Sequence, residues 1–275
     1  MEARWDMVRA DPHPALREHV RGYTGWEEWT PGPMRRRELP SVDVPLILNL
    51  GSPFTVRHEG DPPASAAVLG SFTAGLDDTT VITEHPGSSR GVQVDLTPIG
   101  ARMVLGLPMH EIAGTSVPLA DLLGPDALRL EEALDAAPGW DARFALLDRV
   151  LARRMAAATA PAPDVRWAWG RLERARGAVR VGALAREIGC SRRHLAARFH
   201  DAVGVPPRTA ARLMRFEAAA GALRSPAPPP LAALAVSCGY HDQAHMTREV
   251  RALAGMPPRA LIAAALPGDG GVSGA

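Results

Sequence analysis

Two stretches decide the fold: Leu184-Ala185-Arg186-Glu187-Ile188-Gly189-Cys190-Ser191 and Leu234-Ala235-Val236-Ser237-Cys238-Gly239-Tyr240-His241. Each opens with Ala-x3-Gly. The first continues to Leu195, Phe199 and Gly204-Val205-Pro206-Pro207, the second to Met246, Val250 and Gly255-Met256-Pro257-Pro258, so each closes with Gly-x-x-Pro. The copies start 50 residues apart, and the second has one more residue before its closing glycine. Two helices that cross steeply need a small side chain at the crossing, which Ala185 and Ala235 supply. The sharp turn between them needs a residue that accepts a left-handed backbone, which Gly189 and Gly239 supply.

Ser191 and Asp242 stand where an N-cap would start the second helix of each unit. Leu195 and Phe199, four apart, then face inward, and Met246 and Val250 repeat the spacing. Gly204 and Gly255 stop these helices, and the prolines beyond prevent continuation. Between the copies, Arg208 to Leu223 reads as one long helix with Leu213, Phe216 and Leu223 inward, which would hold the units at a fixed separation. A plain helical bundle or repeat is the rival reading, but a third copy is absent and solenoids need at least about three.

Charge separates the halves. All 31 basic side chains are arginine; residues 1–163 hold 15 Arg against 22 acids, and residues 164–262 hold 16 Arg against 7. A basic block behind an acidic one is the pattern of a chain whose end meets a polyanion. Hydrophobic residues make up 46% of the chain, enough for a sizeable core. No run of about 18 apolar residues suggests a membrane span, and Met1–Ala10 lacks the apolar segment of a signal peptide. Two cysteines, Cys190 and Cys238, make no disulfide framework and fit a cytoplasmic protein.

Upstream, short strands are expected between Gly and Pro punctuation. Val44 to Leu50 is an apolar run ending at Gly51, Phe54 to Arg57 and Val68 to Thr73 are weaker strands, and Val81–Glu84 with Val92–Leu96 reads as a hairpin around His85–Ser89. Ile99–Leu105, Ala127–Leu134 and Asp141–Ala158 read as helices. The last places Phe144, Leu147, Leu151 and Met155 on one face, either to cover the chain's own strands or to form a two-helix homodimer seam. The expected fold class is α+β: a β-sandwich or barrel-like domain, cupin-like in outline, with flanking helices over 1–158, a linker at 159–164, an all-α domain of two helix-turn-helix units at 165–266, and a disordered tail at 267–275.

Residues 178–265 resemble the DNA-binding domain of the AraC/XylS family of bacterial regulators. The resemblance rests on Leu184-Ala185, Ser191, Leu195, Phe199, Gly204-Val205-Pro206-Pro207, Arg215, Ala235, Gly239-Tyr240, Asp242-Gln243 and Gly255-Met256-Pro257-Pro258. Met246 and Val250 stand where the family usually has phenylalanine, and His245 where it usually has tyrosine, which implies a smaller core in the second unit. Leu39–Gly51, Pro98–Arg102 and Val117–Gly124 more loosely resemble a little-characterised N-terminal domain of actinobacterial AraC-like proteins. The resemblance implies a DNA-binding transcription regulator whose N-terminal domain senses a small-molecule effector.

With Leu195 and Phe199 inward, Arg192, Arg193, Ala196 and Ala197 point out; on the second reading helix Gln243, Ala244, Thr247 and Arg248 do so. These eight are the candidate base contacts. Arginine suits guanine, glutamine suits adenine, and alanine offers a methyl contact to thymine. Arg208, Arg212 and Arg251 are candidate phosphate partners, which position without specifying sequence. The units would enter successive major grooves, about 34 Å apart. Double-stranded DNA is the principal expected partner; RNA polymerase and a second copy through Asp141–Ala158 are further candidates. Tyr23, Trp26, Trp29 and Phe72 either line an effector pocket or fill a core. Arg35-Arg36-Arg37 is an anion site or a solvated face. His58, Glu59, Glu84 and His85 lack the ligand spacing of a metal cupin, so no metal and no cofactor are expected. Two other functions compete: a metal-dependent cupin-type enzyme, and a partner-binding module without DNA affinity. No catalytic motif is found, and both cysteines lie inside the repeated units rather than in a repair-type reactive site.

Overall fold

The computed structural model describes residues 3–225, 227–264 and 272–273. The N-terminal domain is two antiparallel sheets facing each other. One has the order β1 (Arg4–Ala10), β2 (Val20–Trp29), β9 (Ser88–Leu96), β4 (Val44–Asn49), β7 (Phe72–Ala74), β10 (Ser116–Pro118). The other runs β11 (Val272–Ser273), β3 (Met34–Glu38), β8 (Val81–His85), β5 (Phe54–His58), β6 (Ala67–Leu69). The alternation of β9 explains how the first sheet has two different faces. Val92, Val94 and Leu96 are fully buried on the side that meets the helices. Gln93 and Asp95, one residue out of phase, sit beside Ile47 and Pro45 in register on the side that faces the second sheet. There Trp26, Ile47, Phe54, Val56, Leu69 and Phe72 form a small separate core.

The expected 81–96 hairpin is corrected. β8 pairs with β3 and β5, whereas β9 pairs with β2 and β4, so the chain changes sheets at Pro86-Gly87. The Gly87 carbonyl accepts a hydrogen bond from the Thr30 backbone N–H at 2.7 Å, tying the crossing to the end of β2. The alternation within each run was informative; the partner was decided by distant strands. Val68–Thr73 is likewise two strands, β6 and β7, one in each sheet.

Four helices cover the outer face of the first sheet: α1 (Pro98–Leu105), α2 (Leu119–Leu123), α3 (Pro125–Asp135) and α4 (Trp140–Ala157). Phe144, Leu147, Leu151 and Met155 of α4 are all buried in the domain's own core. Tyr23 stacks on Phe144 with ring centroids 5.6 Å apart and donates its hydroxyl hydrogen to Asp148 Oδ1 at 2.8 Å. Each such aliphatic side chain contributes roughly 1.5–3 kcal/mol by leaving water. Of the two expected readings of this stripe, the structure supports packing within the chain: α4 meets α1 and the 14–16 turn, and Phe144 meets Tyr23 of β2.

After residues 158–162 comes α5 (Pro163–Arg174), then α6 (Val181–Ile188), α7 (Arg192–Val203), α8 (Pro207–Leu223), α9 (Leu231–Ser237), α10 (Gln243–Ala254) and α11 (Pro258–Ala263). The two domains share one continuous core. The C-terminal part of α7 packs on α1 and on the 109–111 turn, and the Thr80 hydroxyl donates to the Leu253 carbonyl at 2.9 Å. The disordered tail expected at 267–275 lies outside the described residues except at Val272–Ser273, where the expectation is corrected: these pair with Arg37 and Arg36 at the edge of the second sheet.

Candidate nucleic-acid interface and effector cavity

Both units have the architecture that the repeated motif dictates. Gly189 (φ 77°) and Gly239 (φ 76°) take the left-handed backbone at the turns. Ser191 then accepts from the His194 N–H at 3.1 Å, and Asp242 from the His245 N–H at 2.7 Å, so α7 and α10 are N-capped in the same way. These bonds, with the adjacent His241, hold the Asp242 carboxyl below the usual carboxylate range. Ala185 and Ala235 are buried at the crossings, and Leu195, Phe199, Met246 and Val250 are fully buried beneath the reading helices. Phe199 meets Trp169 of α5 with centroids 6.2 Å apart. In the second unit Tyr240 and His245 pack edge to face at 5.4 Å, with the Arg215 guanidinium 5.8 Å from the Tyr240 ring. Burial pushes the Tyr240 hydroxyl well above its ordinary range.

Of the residues expected to meet bases, Arg192, Arg193, Ala197, Gln243, Ala244 and Arg248 are exposed, while Ala196 and Thr247 are half-buried. Arg192 leans across the start of α6: a Cβ on Gly182 would lie 2.7 Å from its Nη2. Arg208 and Arg251 are exposed. Arg212 is different. Its Nε donates to Glu249 Oε2 and its Nη1 to Asp78 Oδ2, each at 2.7 Å, so both edges of its guanidinium are engaged and one partner belongs to the N-terminal domain. His194 and His241, at the start of each reading helix, are also exposed and were not singled out from the sequence. Their place beside the N-cap was the available signal.

Of the four residues expected to line an aromatic pocket, Tyr23, Trp26 and Phe72 line a cavity of about 930 Å³ and Trp29 does not. The Tyr23 ring itself packs in the core under α4. Trp26 and Phe72 lie between the sheets. Trp26 is oriented by a hydrogen bond from its Nε1 to Ser89 Oγ at 2.8 Å. Phe216, Glu217 and Ala220 of α8 complete the cavity wall. Sequence reasoning missed its acids, Asp43 and Asp95. The signal was there: each interrupts a buried strand run, as Val42-Asp43-Val44 and Val94-Asp95-Leu96, and so must point to the opposite face.

The Arg35–Arg37 run is engaged by acids: Arg35 with Glu84 at 3.1 Å, Arg36 with Glu28 at 2.6 Å, and Arg37 with Glu59. His58 pairs with Asp77 at 3.1 Å and His85 with Glu28 at 3.3 Å. Thus His58, Glu59, Glu84 and His85 each have separate partners. Among the described residues no three His, Cys, Asp or Glu side chains converge as a metal site, and no helix is long and apolar enough to cross a membrane. Cys190 and Cys238 are free thiols; burial raises the Cys238 thiol above its ordinary range.

Residues 184–264 match the family model described as a helix-turn-helix domain. The C-terminal region is thus a helix-turn-helix domain. A search of curated protein sequences gives no match. Among solved structures, ToxT from Vibrio cholerae aligns over 94% of this chain and 97% of its own, at 9% identity and TM-score 0.48. The C-terminal domain of AraT, a response regulator from Geobacillus stearothermophilus, aligns over 38% of this chain and 88% of its own, at 20% identity and TM-score 0.36. An AraC-type regulator from Chromobacterium violaceum aligns over 38% and 96%, at 24% identity and TM-score 0.35. None of these reaches a TM-score of 0.5, so the functional weight falls on the domain match and on this chain's own geometry.

Proposed function

We propose that this chain, built around a helix-turn-helix domain, is a sequence-specific DNA-binding transcription regulator of AraC type whose N-terminal domain binds a small-molecule effector. One observation carries the reading: two N-capped helices, each with a buried inner face and an exposed outer one, are mounted on the single 17-residue helix α8. A rigid connection of that kind suits two successive major grooves on one face of a duplex.

Arg193 is the principal base reader of the first unit, by a bidentate pair with guanine; Ala196 and Ala197 offer apolar contact, and Arg192 reaches the groove edge from its seat on α6. Gln243, Ala244, Thr247 and Arg248 serve the second unit. Arg208 and Arg251 meet phosphates. Arg212 joins them only when it leaves Asp78. The cavity between the sheets supports the effector reading, because its volume lies within the range of small-molecule sites and its floor is apolar. Contact with RNA polymerase belongs to the same proposal, since a regulator must act on it.

Selection of bound duplexes from a random library by the intact chain, followed by a salt titration of the selected sequence, tests this. An asymmetric site of about 15–20 base pairs is expected, with affinity falling steeply with salt. Absence of any sequence preference would leave only a non-specific or protein-binding module.

A further inference from the structure

The cavity between the sheets has two chemically different ends. Its floor is Trp26, Phe54 and Phe72, whose rings pack at tilted or edge-on angles with centroids 6.2–6.4 Å apart. Its other end, bounded by the start of β4, by β9 and by α8, carries Asp43, Asp95 and Glu217. Over the whole lining, nine carboxylates face four guanidiniums, and those arginines have prior engagements. Arg21 is shared between Asp43, at 3.4 Å, and Glu173. Arg36 is bound to Glu28 and lies 4.8 Å over the Trp5 ring.

Positive charge is therefore in deficit where acids are withdrawn from water. Burial, and next the nearby Glu217, push the Asp43 carboxyl up to about 7. Burial likewise raises Asp95 and Glu217, although Gln93 donates to Asp95 Oδ1 at 2.6 Å and Ser41 to Glu217 Oε1 at 2.9 Å. Apart from these three, Glu28 lines the cavity at 7% exposure; Arg36 holds its Oε2, and its Oε1 lies 3.3 Å from His85 Nε2 but out of hydrogen-bond geometry. That oxygen keeps room for a better-aligned donor, so a ligand that brings N–H groups is favoured over one that brings only acceptors.

We propose that the cavity binds an organic cation, an aromatic or aliphatic body carrying an amine, with its body on Trp26, Phe54 and Phe72 and its ammonium among Asp43, Asp95 and Glu217. This rests on the reading of the N-terminal domain as the effector-binding unit. The aromatic floor suits such ligands through cation–π attraction as well as burial. An anionic ligand of the same shape would add to the repulsion already present. Because Glu217 belongs to α8, the ammonium would tie the sensor domain to the helix that spaces the two reading units, and the ligand would change how firmly they are held.

The test uses the intact chain without DNA, so it succeeds or fails apart from duplex binding. Tryptamine, phenethylamine and the carboxylates of matched shape, indole-3-propionate and 3-phenylpropionate, are titrated by calorimetry and thermal shift at pH 8. The amines should bind at least tenfold more tightly than their carboxylate partners. Glu217→Gln should weaken amine binding about tenfold while raising the melting temperature of the ligand-free protein, since it removes a repelling charge. A merely structural Glu217 would lower that temperature instead. Equal or tighter binding of the carboxylates, no binding of either amine, or unchanged amine affinity in Glu217→Gln would overturn the proposal.

Discussion

The two helix-turn-helix units share a plan but are built with different materials. The first has Leu195 and Phe199 beneath its reading helix, with the Trp169 ring packed behind at a tilt. The second has Met246 and Val250, and borrows Tyr240 and Arg215 from outside its reading helix. The first leans on the N-terminal domain through a packed surface at α1 and residues 109–111. The second touches it through polar contacts, Thr80 to Leu253 and, by way of α8, Arg212 to Asp78. Charge ties both units, since Arg102 of α1 also meets Asp201 of α7 at 3.0 Å, but only the first adds a broad packed surface to its polar contacts. The second is therefore the unit that a change in electrostatics can release.

The largest expected difference is in stability. Phe199→Ala should destabilise the protein by about 3–5 kcal/mol, because a buried ring leaves a cavity the Trp169 wall cannot fill. Val250→Ala should cost about 2 kcal/mol, the loss of two buried carbons. Chemical denaturation checks both, and equal losses would erase the contrast between the cores. In DNA binding, Arg193→Ala should cost about 1–3 kcal/mol and relax one base position. Gel shifts on single-base variants read this; unchanged specificity would remove Arg193 as a reader.

The capping residues allow a finer comparison. Ser191→Ala and Asp242→Ala should each cost about 1 kcal/mol, and circular dichroism melts should show similar losses because the caps share one geometry. Asp78→Asn sharpens the electrostatic side: with its N-terminal partner gone, Arg212 can turn to phosphate. The salt dependence of binding should steepen by about 0.9 in the log–log slope, one more phosphate contact. An unaltered slope would mean that Arg212 stays with Glu249.

The smallest effect is a pH dependence at the boundary between domains. The Asp43 carboxyl is raised in the folded chain, so the folded state holds that proton more tightly than the unfolded state does. Its contribution is largest below the usual carboxylate range and fades as pH rises to about 7. Melting temperature should fall over that window, and Asp43→Asn should flatten the profile. A slope of the opposite sign would contradict the burial of this group.

How much of this was legible in the sequence follows the range of the forces involved. Local signals worked: Gly189, Ser191 and Gly204 specify turn, cap and stop within a few residues, and the structure places each as expected. The helices at 98–105, 125–135 and 140–157 fall where apolar spacing put them, to within a few residues. Non-local pairing did not work. Nothing in Val81–Glu84 or Val92–Leu96 tells which strand each will join, so two alternating runs beside a turn resembled a hairpin and proved to lie in different sheets. Strand β2 is hard to read locally because Val20–Trp29 sets two glycines and three charged residues among its aromatics in place of a strict alternation. The division of Tyr23 from Trp26 needed only the period of two. The engagement of Arg212 by Asp78, across 134 residues, could not be read from sequence at all.

The central claim is that both reading helices enter DNA at once. Hydroxyl-radical footprinting of the intact chain on its selected duplex tests it most directly. Two protected stretches about one helical turn apart on one face are predicted, with Arg193→Ala weakening one and Gln243→Ala the other. A single protected stretch, insensitive to one of these substitutions, would contradict it.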